Sequence, residues 1–395
     1  MEETKKRIYL DSASTTYVNR EVIAEMMPVF NSVFGNPASV HSFGRDAQDL
    51  LDRARTRVAK GINADSNEIY FTSGGTEANN WAIVGLAKAN AGKGKHIITS
   101  KIEHESVLDA CKKLEKEGFE VTYVGCDENG IVSLSQIMSA IRPDTILISV
   151  MVANNEVGTI QNLNAIARTA KEKDILFHCD AVQALGAIPL DVKSLPIDAM
   201  SLSAHKIYGP KGIGALYVKK GVLIDGLIVG GKQESNYRAG TVNIAGAVGF
   251  GKAVEIATRD LTVNAQKIKN VRDYFTRSVI EKIENVTLNG HQYQRTCGIA
   301  NLCFECVDNE SLMLMLDMEG IATSIGSACT AGTNIQSYVL KAMGKTPEQV
   351  KSSIRFSFGK NISKEDVDYV VDKLTGIVKK LREISPLRKT TKESK

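Results

Sequence analysis

From residue 17 to about residue 255 the chain alternates short apolar runs with amphipathic helical stretches, and this alternation constrains the fold more than any other feature. Apolar runs lie at 68–72, 95–99, 145–151, 175–178 and 199–203, with helical spacing over intervals such as 77–89 and 107–117. Strand and helix in turn argue for βαβ units: a mainly parallel sheet with helices on both faces. After Gly246 the pattern changes to one long amphipathic helix, about 247 to 285, then fewer strands and shorter helices. A chain of 395 residues exceeds one ordinary hydrophobic core, so two domains are expected. A large one spans 16–257. A smaller α+β one combines 1–15 with 258–387, and 388–395 form a basic, disordered tail.

Ligands of open α/β sheets sit outside the carboxyl ends of the strands, and several reactive residue types fall at such ends here. Ser73-Gly-Gly-Thr76 lies between a strand and a helix, where free N–H groups favour an anion such as a phosphate, although a Gly-Gly turn is as often structural. His104 follows the 95–99 strand and, alone, is as readily an ordinary loop histidine. Asp180 ends another strand, where an isolated aspartate reads as a helix cap, and Gln183 follows it. Ser203-Ala-His-Lys206 ends a further strand, where a lysine is ordinarily a solvated group. Together they supply what pyridoxal phosphate needs. A lysine amine forms a Schiff base, an aspartate pairs the pyridinium nitrogen, a helix N-terminus holds the phosphate, and an imidazole can stack on the ring.

The motifs Gly35-Asn-Pro-Ala-Ser-Val-His-Ser-Phe-Gly44, Thr72-Ser-Gly-Gly-Thr-Glu-Ala-Asn-Asn80, Glu103-His104 and Ala153-Asn-Asn-Glu156 resemble cysteine desulfurases of the NifS/IscS-like group. So do Asp180-Ala-Val-Gln183, Ser203-Ala-His-Lys206, Arg238-Ala-Gly-Thr241, Gly326-Ser-Ala-Cys-Thr330 and Ser353-Ile-Arg-Phe-Ser357. These enzymes are class V aminotransferases with pyridoxal phosphate fold type I. The resemblance implies a large domain with a mainly parallel seven-stranded sheet and a smaller α+β domain. It also implies that Lys206 carries the cofactor, His104 stacks on it and moves protons, Asp180 keeps its nitrogen protonated, and Gln183 touches the ring oxygen. Gly75, Thr76, Ser203 and His205 would hold the phosphate, with Thr241 reaching it from a second subunit of a homodimer. Asn155 would lie beside cofactor and substrate, and Arg355 would bind the substrate carboxylate. The implied reaction turns L-cysteine into L-alanine and passes sulfur to an acceptor protein, an iron–sulfur scaffold or a transfer-RNA sulfurtransferase. Selenocysteine lyase, or another aminotransferase-type activity, is the alternative.

Cys329 sits in Ile325-Gly-Ser-Ala-Cys-Thr-Ala-Gly-Thr333, a run of small and polar residues too polar for a core strand, and is the expected persulfide carrier. The other six cysteines read as packing residues. Cys303-Phe-Glu-Cys306 has metal-site spelling but lies in an apolar stretch without a second ligand pair, and no metal is expected. Polar residues 11–16 leave no apolar core for a secretory signal, no stretch approaches a membrane span, and seven unpaired cysteines suit a reducing cytoplasm. Residues 379–395 carry seven Lys/Arg against two Glu, so the body is near neutral and the end is basic. No aromatic residues interleave with those charges, so direct nucleic-acid binding is not expected. Two features depart from the family pattern. Ser235 stands where an arginine is common, and the residues after Ser385-Pro-Leu387 are basic instead of an aromatic scaffold-docking extension.

Overall fold

The computed structural model describes residues 6–326 and 336–385. Cys329 and the basic tail lie outside the described residues. Twelve strands occur among those described: β1 (Ile8–Tyr9), β2 (Ile69–Thr72), β3 (His96–Ser100), β4 (Glu120–Val124), β5 (Thr145–Ser149), β6 (Leu176–Asp180), β7 (Ala199–Ser203), β8 (Gly214–Val218), β9 (Val286–Asn289), β10 (Ile299–Phe304), β11 (Ile321–Ala322) and β12 (Ser353–Ser357).

Seven of them form one sheet in the order β2-β8-β7-β6-β5-β3-β4. The pairs β4/β3, β3/β5, β5/β6 and β6/β7 are parallel, and only β8 runs against the rest. This is the mainly parallel seven-stranded sheet that the resemblance implies. Its strands read as unbroken apolar runs because both faces are covered. Ile98, Ile148 and Phe177 face one core, and Ile97, Leu147 and Leu216 face the other. The helix Gly75–Ala89 is apolar on nearly every side, and Trp81, fully buried, donates its indole N–H to the carbonyl of Asp225 at 2.8 Å. A Cβ on Gly85 would come within 2.6 Å of that same carbonyl, so only glycine lets the 224–225 segment cross here.

A second, smaller α+β domain has its own core. β10 is the middle of an antiparallel sheet β12-β10-β9, and β1 pairs with β11 in parallel, which brings the N-terminal segment into this core. Phe275 anchors it, with ring centroids 4.7 Å from Phe356 and 5.2 Å from Phe358. The single long helix expected over 247–285 is two helices, Ile244–Arg259 and Leu261–Lys282. The break falls at Asp260, a poor residue for a helix interior, whose carboxylate is held by the Arg259 guanidinium. The C-x-x-C stretch also ends as a strand earlier than its apolar run suggests. β10 stops at Phe304, and Cys306 takes a left-handed backbone with φ 63°. Among the described residues no helix is long and apolar enough to cross a membrane.

Phe275→Ala leaves a void beside the Phe356 and Phe358 rings. It is expected to cost about 3–5 kcal/mol, read as a lowered thermal midpoint.

Candidate active site

Four of the parallel strands, β3, β5, β6 and β7, lead into loops that carry polar groups, and these groups meet in one cleft. Gly75, His104, Asn155, Asp180, Ser203 and Lys206 all line it, as do Thr76, Gln183, His205 and Arg355. The structure therefore brings into this cleft every proposed site residue except two. Thr241 is exposed and does not line the cleft of its own chain, and Cys329 is outside the described residues.

At one end of the cleft lies the start of the helix Gly75–Ala89. Its first-turn N–H groups have no intrahelical acceptors, and the helix dipole adds positive potential. A side chain at position 75 would strike Val182 at 2.7 Å, so glycine is required for the helix to begin this close to the β6 loop. Ser203 ends β7 opposite, and its buried hydroxyl has no partner among the described residues. Burial pushes the His205 ring down to about 4, with Lys206 and Lys211 adding to the effect, so it is neutral at physiological pH. Unused amides, an orphaned hydroxyl and a neutral imidazole form a cradle that fits a phosphate.

At the other end Asp180 terminates β6. Its Oδ1 accepts from the Val182 amide at 2.9 Å and its Oδ2 from the Asn79 side chain at 2.7 Å. The same Asn79 Nδ2 donates to Ser106 Oγ at 2.9 Å, and Ser106 Oγ lies 2.8 Å from His104 Nδ1. The Ser106 amide also donates to that nitrogen at 3.1 Å, which places the proton of the neutral ring on Nε2. His104 is thus both the cap of the helix Glu105–Lys116 and a member of a chain of hydrogen bonds ending at Asp180. Asn155 Oδ1 is buried and also unpartnered among the described residues. A bound group with a phosphate at one end and a protonated ring nitrogen at the other would find complementary partners at both.

Lys206 follows β7 in a short 3-10 turn, and its ammonium donates to the carbonyls of Ala13 (2.5 Å) and Ser14 (2.7 Å). Gln183 donates to the same Ala13 carbonyl at 2.9 Å, and Thr15 Oγ1 lies 3.1 Å from His205 Nδ1. Residues 11–16 therefore form a wall of the cleft. From β12, Arg355 reaches across to the Asn155 carbonyl (2.8 Å), Asp11 (2.8 Å) and Ser14 (2.7 Å).

Asn79, Ser106 and the 11–16 segment escaped the sequence reading. Asn79 could have been noticed as a polar residue inside an otherwise buried apolar helix. The polar run Asp11-Ser-Ala-Ser-Thr-Thr16 carried a signal too, since it directly follows an apolar strand. Ser235, standing where the family commonly has arginine, does not leave the region unpaired. Arg55 makes a two-pronged pair with the neighbouring Glu234 (2.6 and 2.7 Å), and Arg238 makes another with Glu77 (2.8 and 3.0 Å). Residues 234–236 all take positive φ, 45°, 57° and 70°, a strained backbone which the Glu234 pair holds in place.

Beneath His104, Glu103 is fully buried. Its Oε1 accepts from Ser100 Oγ (2.5 Å) and the Met151 amide (3.1 Å), which locks the loops after β3 and β5 together. Burial pushes its carboxyl up to about 8. The two hydrogen bonds restrain the shift, and Asp180 adds to it. An unfolded glutamate titrates near 4.5, so between 4.5 and about 8 the native state holds the proton that the unfolded chain has lost. Stability from this group is full below that window, falls as pH rises through it, and is level above. Glu103→Gln cannot titrate, so its melting temperature relative to wild type is expected to climb between pH 5 and pH 9. A constant difference across that range would contradict the buried neutral acid.

Comparison with known proteins agrees with this geometry. The family described as Aminotransferase class-V matches residues 8–370. The chain is 49% identical over 391 residues to "Cysteine desulfurase IscS" of Dictyoglomus turgidum, covering 99% of each. Among solved structures it resembles a "NIFS-LIKE PROTEIN" with TM-score 0.90 and 36% identity, over 95% of this chain and 100% of that one. A structure titled "SspA in complex with cysteine" matches with TM-score 0.80 and 36% identity, over 90% and 99%. The chain belongs to the class V aminotransferases, in their NifS/IscS-like cysteine desulfurase group.

Proposed function

We propose that this protein is a pyridoxal phosphate-dependent cysteine desulfurase that converts L-cysteine to L-alanine and carries the released sulfur as a persulfide on Cys329. The observation that carries the reading is the convergence in one cleft of a phosphate cradle, Asp180, Lys206, His104 and Arg355. Pyridoxal phosphate, when bound, supplies a carbonyl carbon for amines and a ring that accepts electron density from the substrate. Gly75, Thr76, Ser203 and His205 would hold its phosphate, with Thr241 contributed by the second subunit. Asp180, itself fixed by Asn79 and the Val182 amide, would hold a proton on the ring nitrogen. Lys206 presents its amine from the opposite wall, Gln183 and Asn155 orient ring and substrate oxygens, and His104 Nε2 can give or take a proton. Arg355 binds the substrate carboxylate. Cys329 receives the sulfur and delivers it to an acceptor protein, an iron–sulfur scaffold or a transfer-RNA sulfurtransferase, in the cytoplasm. Residues 16–257 would act as the cofactor domain, with 1–15 and 258–387 as the smaller domain.

Surface chemistry supports the homodimer. Met27, Phe30, Phe34, Val40 and Phe43 are all more than half exposed, and the Phe34 and Phe43 rings lie 5.6 Å apart. Large apolar groups gathered within 17 positions suit an obligate interface better than water. Thr241, exposed in its own chain, is available to a second one.

Two measurements test these readings. The yellow holoenzyme, given L-cysteine and a reductant, is expected to release alanine and sulfide. Cys329→Ser and Lys206→Ala should each lose roughly a hundredfold or more in rate. Wild-type turnover by Cys329→Ser would sink the desulfurase mechanism. In sedimentation equilibrium the protein is expected to be a dimer, and Phe34→Asp with Phe43→Asp should shift it to monomer. An unchanged dimer would place the interface elsewhere.

A further inference from the structure

Arg355 is engaged by three protein acceptors. It is 1% exposed; Nη1 donates to the Asn155 carbonyl, while Nη2 donates to both Asp11 Oδ1 and Ser14 Oγ. Nε is buried with no partner among the described residues. A two-pronged grip on a carboxylate uses two adjacent N–H groups of the guanidinium fork. Nε–H is available for one prong, but both hydrogens of Nη2 are committed to protein acceptors. An incoming carboxylate therefore contends with the Asp11 carboxylate for one cation.

Asp11 is not a wandering surface group. Its side chain is 19% exposed, its Oδ1 accepts from Ser14 Oγ at 2.8 Å, and its backbone bridges to Ser357 at the end of β12. It stands beside the guanidinium as a fixed negative charge. In a site shielded from water, two carboxylates on one guanidinium repel each other at a cost that bulk solvent would screen.

We propose that Asp11 is a resident counter-ion of Arg355 that weakens, and so sets, the affinity of the cleft for a substrate carboxylate. The proposal rests on the reading of Arg355 as the carboxylate-binding residue. Asp11 touches no reacting atom; it is a specificity-determining residue acting through Arg355. With the guanidinium neutralised, a carboxylate alone gains little, and a ligand needs its amine engaged near Lys206 as well. The same short segment holds both ends of that requirement, because Ala13 and Ser14 present their carbonyls to Lys206. The site is thereby biased toward α-amino acids over simple carboxylates.

The test titrates the holoenzyme with L-alanine and with ethylamine, which is L-alanine without its carboxylate, and follows the absorption of the bound cofactor. Asp11→Asn keeps an acceptor oxygen for Ser14 and Arg355 and removes only the charge. It is expected to lower the apparent Kd for L-alanine on the order of tenfold and to leave ethylamine unchanged. Asp11→Ala, which removes the hydrogen bonds too, should move L-alanine binding in the same direction. If Asp11 instead serves to orient Arg355, Asp11→Asn will be neutral and Asp11→Ala will bind L-alanine more weakly, and the counter-ion proposal fails. An equal shift for both ligands in Asp11→Asn overturns it as well. If wild type responds to neither ligand, the reading of the cleft as an amino-acid site falls and the proposal falls with it, a result distinct from the other two.

Discussion

The guanidinium of Arg355 joins the two halves of the molecule. It sits on β12, whose strand belongs to the smaller core, yet its hydrogen bonds go to Asn155, beyond the end of β5, and to Asp11 and Ser14 in the N-terminal segment. That segment passes on to Lys206, Gln183 and His205 of the large sheet through Ala13, Ser14 and Thr15. A buried guanidinium must be compensated by charge and by hydrogen bonds, because leaving it unpaired costs several kcal/mol. The need to satisfy Arg355 thus helps fix where residues 11–14 lie, and these in turn wall the cleft around Lys206.

The sheet itself could not host such groups. Its strands are covered on both faces, so a polar side chain in mid-strand must find a partner within the core, as fully buried His178 does between Ser149 and Ser201. Burial drives that ring down to about 3, which keeps it neutral and structural. At the carboxyl ends the constraint relaxes. Backbone amides become available, helices begin, and charged side chains can share partners across neighbouring loops. Asp180 can therefore lie there with its carboxylate shared between the Val182 amide and Asn79, one residue from fully buried Cys179.

Legibility in the sequence followed the same division. Strands β2, β3, β5, β6 and β7 were readable within a residue or two because double burial gives unbroken apolar runs. β4 was not, since Glu-Val-Thr-Tyr-Val at the sheet edge is only partly buried, and β8 sits among glycines that read as turn. The amphipathic pattern runs on through 247–285, and Asp260 interrupts the helix without interrupting the pattern. Within the cleft, His104, Asp180, Gln183 and Lys206 were legible from their chemistry at strand ends, while Asn155 and Arg355 came from the resemblance alone. Asn79 and Asp11 were not legible. They act by orienting or neutralising another side chain, Asn79 across 101 positions to Asp180 and Asp11 across 344 to Arg355, and no local periodicity encodes such a contact.

Sulfur chemistry adds a requirement that the cysteines answer through burial. A persulfide carrier must be the thiol that reacts, so other thiols near the cleft must not compete. Burial pushes Cys111 up to about 12 and Cys126 up to about 11, and raises Cys179, Cys297 and Cys303 as well. For Cys179, next to Asp180, the neighbouring carboxylate adds to the effect. The thiolate is the nucleophile, so these five stay protonated and inert at physiological pH. In the sequence Cys329 is flanked instead by small and polar residues. The hydrophobic core thus withholds the thiolate form from five of the six cysteines among the described residues, Cys306 on the turn beyond β10 being the sixth.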